Sequence, residues 1–252
     1  MDPDFDKGLR AYQDGDYKTA KLHFIPLAED NNPLAQAGLA RMYELGLGIK
    51  KNFDRAFQLY KSAADNGVVS CFSNVGYCYE WGIGTDENIE AAITYYNLGL
   101  DNQDIGSIFN LATLLENGKG LEKDVSEAMR LYEFAARRGD ADSLHNLGMI
   151  YLEGKGTEQD CEAAIEFLKM AAERGCVPAM RKLGFIFYDG TLTELDLETS
   201  WLWFDLSRTA GDKDGREHCF MVSAKSSKLG IEMDHGSLFK RSIEMREKIF
   251  NS

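Results

Sequence analysis

The chain has 252 residues, 44% of them hydrophobic, with 24 glycines and only four prolines. That composition excludes a disordered tail and suits many glycine-stopped helices better than a β-sandwich. With 28 basic against 41 acidic side chains the formal net charge is -13, a surface that repels phosphate backbones and argues against nucleic-acid binding.

The chain opens on Met1-Asp2-Pro3-Asp4, with neither a basic region nor an apolar one behind it, and no apolar run reaches membrane-spanning length. A cytoplasmic protein without membrane insertion is expected. Residues 1–33 form a short first unit, marked by Gly8, Tyr12, Gly15-Asp16-Tyr17, Ala20, Phe24 and Ala28.

From residue 34 to 211 the sequence repeats itself every 36 residues. Leu39, Val75, Leu111, Leu147 and Leu183 are each followed by a small residue, and four places on by Tyr43, Tyr79, Leu115, Tyr151 or Phe187. Next come Gly46, Gly82, Gly118, Gly154 and Gly190, then Ala56, Ala92, Ala128, Ala164 and Ser200. Tyr60, Tyr96, Tyr132, Leu168 and Phe204 follow four places later, and each unit closes near Gly67, Gln103, Gly139, Gly175 or Gly211.

Apolar residues at i, i+3 and i+4 define one buried stripe on each of two helices per unit. The pattern predicts helices over about 34–45 and 53–65, 70–81 and 89–101, 106–117 and 124–137, 142–153 and 160–174, and 178–189 and 196–210. The glycine after the aromatic is a helix stop, where glycine takes positive φ without strain. Asn52, Asn88, Asp124, Asp160 and Asp196 stand where the second helix of each unit needs an N-cap. No unit can bury its apolar stripe alone, so neighbours stack.

Residues 212–252 are irregular, with helices expected near 214–229 and 236–250 that close the stack with a polar outer face. Charge changes here: from Arg216 onward there are seven basic and five acidic side chains, leaving -15 on residues 1–215. The organisation predicted is one continuous all-α domain: entry unit 1–33, five repeats over 34–211, and capping helices over 212–252.

The run Leu147-Gly148-Met149-Ile150-Tyr151-Leu152-Glu153-Gly154-Lys155-Gly156 through Ala171-Ala172-Glu173-Arg174-Gly175 resembles the Sel-one-like repeat family of the tetratricopeptide repeat superfamily. The resemblance implies a right-handed α-α superhelix, a solenoid of two-helix repeats whose first helices line the concave face. It also implies an adaptor role, in bacterial secretion and toxin immunity among other settings, and a bacterial source is expected. The secreted branch of the family carries paired cysteines at each repeat junction. Here Cys71, Cys78, Cys161, Cys176 and Cys219 are odd in number and out of phase, as expected of free thiols in a reducing compartment.

Asn74, Asn110 and Asn146 recur at the repeat period just before the apolar anchor. That place resembles the concave-face asparagine with which tetratricopeptide grooves hold a peptide backbone. An amide both donates and accepts, so a row of them can grip an extended segment without reading its sequence. The partner-binding face expected around them holds Ser73, Tyr77, Phe109, Thr113, His145, Met149 and Arg181, with aromatics and Met as interface anchors. Glu80, Glu116 and Glu153 are expected to make its rim acidic and to favour a neutral or basic protein or peptide segment.

No chemistry competes with binding. The Gly-x-Gly pairs lack the strand and Lys-Ser/Thr of a phosphate loop, and Asp212-Lys213-Asp214-Gly215 lacks the remaining ligands of a calcium loop. His23, His145, His218 and His235 fall outside any ligand spacing. The function expected is a monomeric, non-enzymatic scaffold without cofactor or metal. An immunity or inhibitor protein clamping one enzyme is the alternative, and an enzyme the remote one.

Overall fold

The computed structural model describes residues 3–250 and holds only helices and turns among them. Two compact units are distinguished, one up to Leu131 and one from Tyr132 on.

In the first unit, α1 (Pro3–Gln13) pairs with α2 (Tyr17–Glu29), and α3 (Pro33–Leu45) with α4 (Phe53–Asp65). A 3-10 turn, Val69–Cys71, leads into α5 (Phe72–Trp81), which pairs with α6 (Ile89–Asp101), and α6 packs on α7 (Ile105–Asn117). The division falls within α8 (Val125–Ala136). The second unit continues with α9 (Ala141–Glu153) and α10 (Cys161–Glu173), α11 (Val177–Asp189) and α12 (Leu197–Thr209), then α13 (Gly215–Leu229) and α14 (His235–Phe250).

These bounds follow the predicted ones closely because each helix end carries its own signal. Asn52, Asn88, Asp124, Asp160 and Asp196 each accept a hydrogen bond of 2.9–3.0 Å from the backbone N–H three residues on. The first helices stop at Gly46, Gly82, Gly118, Gly154 and Gly190, all left-handed, with φ between 62° and 76°. Two first helices depart: α11 starts after Cys176 without a side-chain cap, and α5 is the other. Asn32, Asp104 and Asp140 cap the other first helices of that pattern, whereas Val68 offers no acceptor, and the chain tightens into 3-10 geometry before the α-helix begins.

Packing inside a repeat matches a large residue of the second helix to a small one of the first. A Cβ on Gly76 would lie 2.4 Å from the Tyr96 ring, and one on Gly184 would lie 2.6 Å from the Phe204 ring. The aromatic column of the second helices therefore packs within its own repeat. The first-helix column does join neighbours: Tyr79 meets Phe57 of the preceding repeat edge-on at 5.1 Å and stacks on Tyr95 of its own at 5.9 Å.

The Gly-x-Gly pairs are structural. Gly84 has φ +70°, and a Cβ there would lie 2.2 Å from the Phe53 carbonyl oxygen, so the loop can press on the start of the preceding second helix only if it carries no side chain. All five cysteines are free thiols.

The C-terminal helices add apolar surface to the charged one expected. Phe204, Leu197 and Val222 form a core that ties α12 to α13, with Trp201 at its edge. Their outer face is mixed: Lys240, Arg241, Glu244 and Glu247 are exposed, and so are Phe220, Leu229, Ile231, Phe239, Ile243 and Phe250.

Candidate functional site

In the first unit the structure brings four of the expected residues together. Ser73, Asn74 and Tyr77 on α5 and Asn110 on α7 line one groove of about 200 Å³, along with Glu44, Phe53, Ala56, Tyr60, Cys78 and Ile83. The two first helices can meet there because Gly106 stands opposite Ser73, where a Cβ would lie 3.0 Å from the serine. A small-molecule pocket commonly measures about 300–1,000 Å³. This groove is smaller and suits one or two side chains of a segment laid across it.

Its walls combine apolar and polar groups. Tyr77 is 47% exposed and Phe53 42%, with the Lys51 ammonium 4.6 Å above one face of the Phe53 ring. The side-chain amides of Asn74 and Asn110 are half-buried and make no hydrogen bond within the described chain. Glu44 is engaged: it accepts 2.7 Å from the Tyr60 hydroxyl and 2.9 Å from Arg41. Burial raises the Tyr60 hydroxyl well above the usual tyrosine range, and the bond to Glu44 adds to this, so Tyr60 remains a donor.

The acidic rim is corrected at Glu80. Its side chain is 6% exposed and accepts 2.8 Å from the Tyr96 hydroxyl and 3.2 Å from Lys119, whose ammonium also sits 4.2 Å above the exposed Trp81 ring. Glu116 is half-buried, and Glu153 pairs with Lys155 at 2.7 Å. A carboxylate column drawn from sequence does not distinguish a solvated acid from one held inside a repeat. Phe109 and Thr113 on α7 are half-buried, with the Thr113 hydroxyl donating back to the Phe109 carbonyl at 3.1 Å.

In the second unit His145, Asn146 and Met149 stand on α9 and Arg181 on α11, all half-buried. Asn146 differs from its counterparts, since its Oδ1 lies 3.3 Å from His145 Nδ1. Burial lowers the His145 pKa below the usual range, outweighing the neighbouring Asn146 and Asp142. Arg181 reaches the buried Asp212 carboxylate at 3.6 Å. Phe185 is half-buried against the core, edge-on to Phe204 and to His218 at 5.0 Å each.

Sequence reasoning missed Glu44, Phe53, Tyr60 and Ile83 as lining residues. The signal for Phe53 is present: it begins its helix after the Asn52 cap, in the column held by Ile89, Val125, Cys161 and Leu197, and among those five repeats only it is aromatic. Among the described residues no cluster of His, Cys, Asp and Glu could hold a metal ion, and no helix is long and apolar enough to cross a membrane.

The family model of the Sel1 repeat matches residues 33–68, 73–104, 106–140, 141–176 and 177–212. Among solved structures, a Sel1 repeat protein from Oxalobacter formigenes is similar over 96% of this chain and 99% of its own, with 27% identity and a TM-score of 0.81. A sel1 repeat protein from Klebsiella pneumoniae subsp. pneumoniae is similar over 79% of this chain and 97% of its own, at 22% identity and a TM-score of 0.54. Immunity protein Pa5087 from Pseudomonas aeruginosa is similar over 85% and 82%, at 19% identity and a TM-score of 0.55. At those last two identities the likeness is one of fold alone. No curated protein matches the chain.

Proposed function

Because the chain belongs to the Sel1 repeat family, whose members are generally non-enzymatic protein-interaction scaffolds, we propose that it is a scaffold gripping an extended partner segment at the α5–α7 groove. One observation carries this reading. The amides of Asn74 and Asn110 line the same groove from adjacent first helices, and neither is used within the chain. Each can donate to a backbone carbonyl and accept from a backbone N–H, as a sequence-tolerant grip requires.

Tyr77 and Phe53 supply apolar contact beside the amides, and the groove takes a side chain of modest size between them. Glu44 already has two donors, and Glu80 is paired inside its repeat, so the segment favoured at the groove is neutral at its centre. His145, Asn146, Met149 and Arg181 are assigned a lesser part: Asn146 and Arg181 already have partners.

The test is affinity capture from the native organism with wild-type chain and with Asn74→Ala/Asn110→Ala. Loss of a captured protein from the double variant, at unchanged helicity, is the expected result. Asn88→Ala serves as the control, since it removes a helix cap and about 1 kcal/mol of stability but leaves the groove intact. Equal capture by all three proteins would remove the groove from the interface. An inhibitor or immunity role would instead appear as a very tight one-to-one complex with a single enzyme, insensitive to the two asparagines.

A further inference from the structure

A surface helix of a globular protein ordinarily carries one apolar stripe, about 100° wide. The last helix, α14, carries two. Its inner stripe is Leu238, Ser242, Met245 and Ile249, with Leu238 and Ser242 fully buried. It lies on α12: the Ser242 hydroxyl donates to Asp205 at 2.5 Å, Arg241 reaches Glu198 at 3.0 Å, and His235 meets Trp201 at 6.0 Å between ring centres. One full stripe is therefore already spent on the fold.

The second stripe is Phe239, Ile243 and Phe250, with Arg246 between them half-buried and its Nε donating 3.3 Å to the Ser242 carbonyl. Phe239 is 53% exposed, Ile243 38% and Phe250 47%, and the Arg246 guanidinium lies 5.8 Å from the centre of the Phe239 ring. Spacings of four, three and four residues are those of a coiled-coil seam, with Phe239 and Arg246 at d and Ile243 and Phe250 at a. In that register Lys240 and Glu247, both exposed, fall at e.

We propose that this seam is a self-association surface, through which α14 pairs antiparallel with α14 of a second copy of the chain. The argument for a second copy is charge. In an antiparallel pair of identical helices e faces e, so Lys240 of one copy meets Glu247 of the other, and the two-fold axis repeats the contact. A parallel pair would set e against g, where Ser242 and Ile249 stand, and would make no ion pair. The ends also tolerate each other, because residues from 216 onward carry seven basic and five acidic side chains while the rest of the chain carries -15. This departs from the monomer expected from sequence. The reason is that the fold leaves Phe239, Ile243 and Phe250 of its last helix exposed.

A 16-residue helix is about 24 Å long, which limits the interface to the small end of the specific range. Sedimentation equilibrium of the full chain, from about 1 to 500 µM at low salt, reads self-association directly. The expected result is a concentration-dependent dimer that Ile243→Asp abolishes. Lys240→Glu and Glu247→Lys should each weaken self-association about tenfold, since each replaces two attractions by two repulsions. An equimolar mixture of these two variants should then form a heterodimer tighter than either homodimer, because both e contacts are again of opposite sign. All three substitutions are on the surface, and a wild-type circular dichroism spectrum checks their fold. A chain monomeric over the whole range overturns the proposal. So does a dimer indifferent to Ile243→Asp, or a mixture no tighter than its components.

Discussion

The Tyr96 hydroxyl donates a 2.8 Å hydrogen bond to the Glu80 carboxylate across the two helices of one repeat, and both groups are buried. One repeat earlier Tyr60 and Glu44 make the same bond at 2.7 Å. Two repeats later both positions change together, to Leu152 and Leu168, each buried. A buried donor and acceptor are tolerated as a pair, or replaced as a pair by apolar groups, because leaving one alone costs its desolvation.

Glu80→Leu should accordingly destabilise the protein by about 1–3 kcal/mol, leaving the Tyr96 hydroxyl buried without an acceptor. Adding Tyr96→Phe should recover part of the loss. Urea denaturation of the two single variants and the double variant measures the coupling, and strictly additive losses would show that the bond carries none.

Left-handed glycines separate backbone strain from steric exclusion. Gly67 has φ +85° with nothing within 4 Å of its would-be Cβ, so Gly67→Ala should cost about 1 kcal/mol, the conformational term alone. Gly84→Ala adds contact with the Phe53 carbonyl and should cost about 3 kcal/mol or more. Thermal melts of the two variants, compared at equal concentration, check the order.

His145 gives a pH dependence of defined sign. Burial lowers its folded-state pKa below the ordinary histidine value of about 6.5, so the unfolded chain binds the proton more readily. Its contribution to stability is complete above about pH 6.5 and is lost as the pH falls below that value. His145→Gln should flatten the fall in melting temperature between about pH 6.5 and 5, and an unchanged profile would assign the fall to other groups.

The buried thiols should be inert. Burial pushes Cys71, Cys78 and Cys176 up to about 11 and Cys219 up to about 12. At about pH 8 iodoacetamide should therefore label these four slowly in native protein and quickly in urea, because the thiolate is the nucleophile. The half-buried Cys161, at the start of α10, should react first. The same shifts make stability fall as pH rises from about 9, where the unfolded thiols ionise, towards the folded values.

The helices, their caps and their glycine stops could be read from the sequence, because each depends on residues within one turn of itself. The 36-residue register did the rest, identifying the repeat from columns such as Asn52, Asn88, Asp124, Asp160 and Asp196. Periodicity places a residue on a helix face but does not say what stands opposite. Hence Glu80 and Glu116 shared a column, yet Glu80 proved to be buried between Tyr96 and Lys119. Asn74 and Asn146 likewise shared one, but only Asn74 keeps an unengaged amide, since His145 has no counterpart beside it: the residue there is Ser73. The two stripes of α14 were also present in its spacing. Only the packing of that helix on α12 decided which stripe is buried and which is left exposed, because burial is a property of neighbours and not of the pattern.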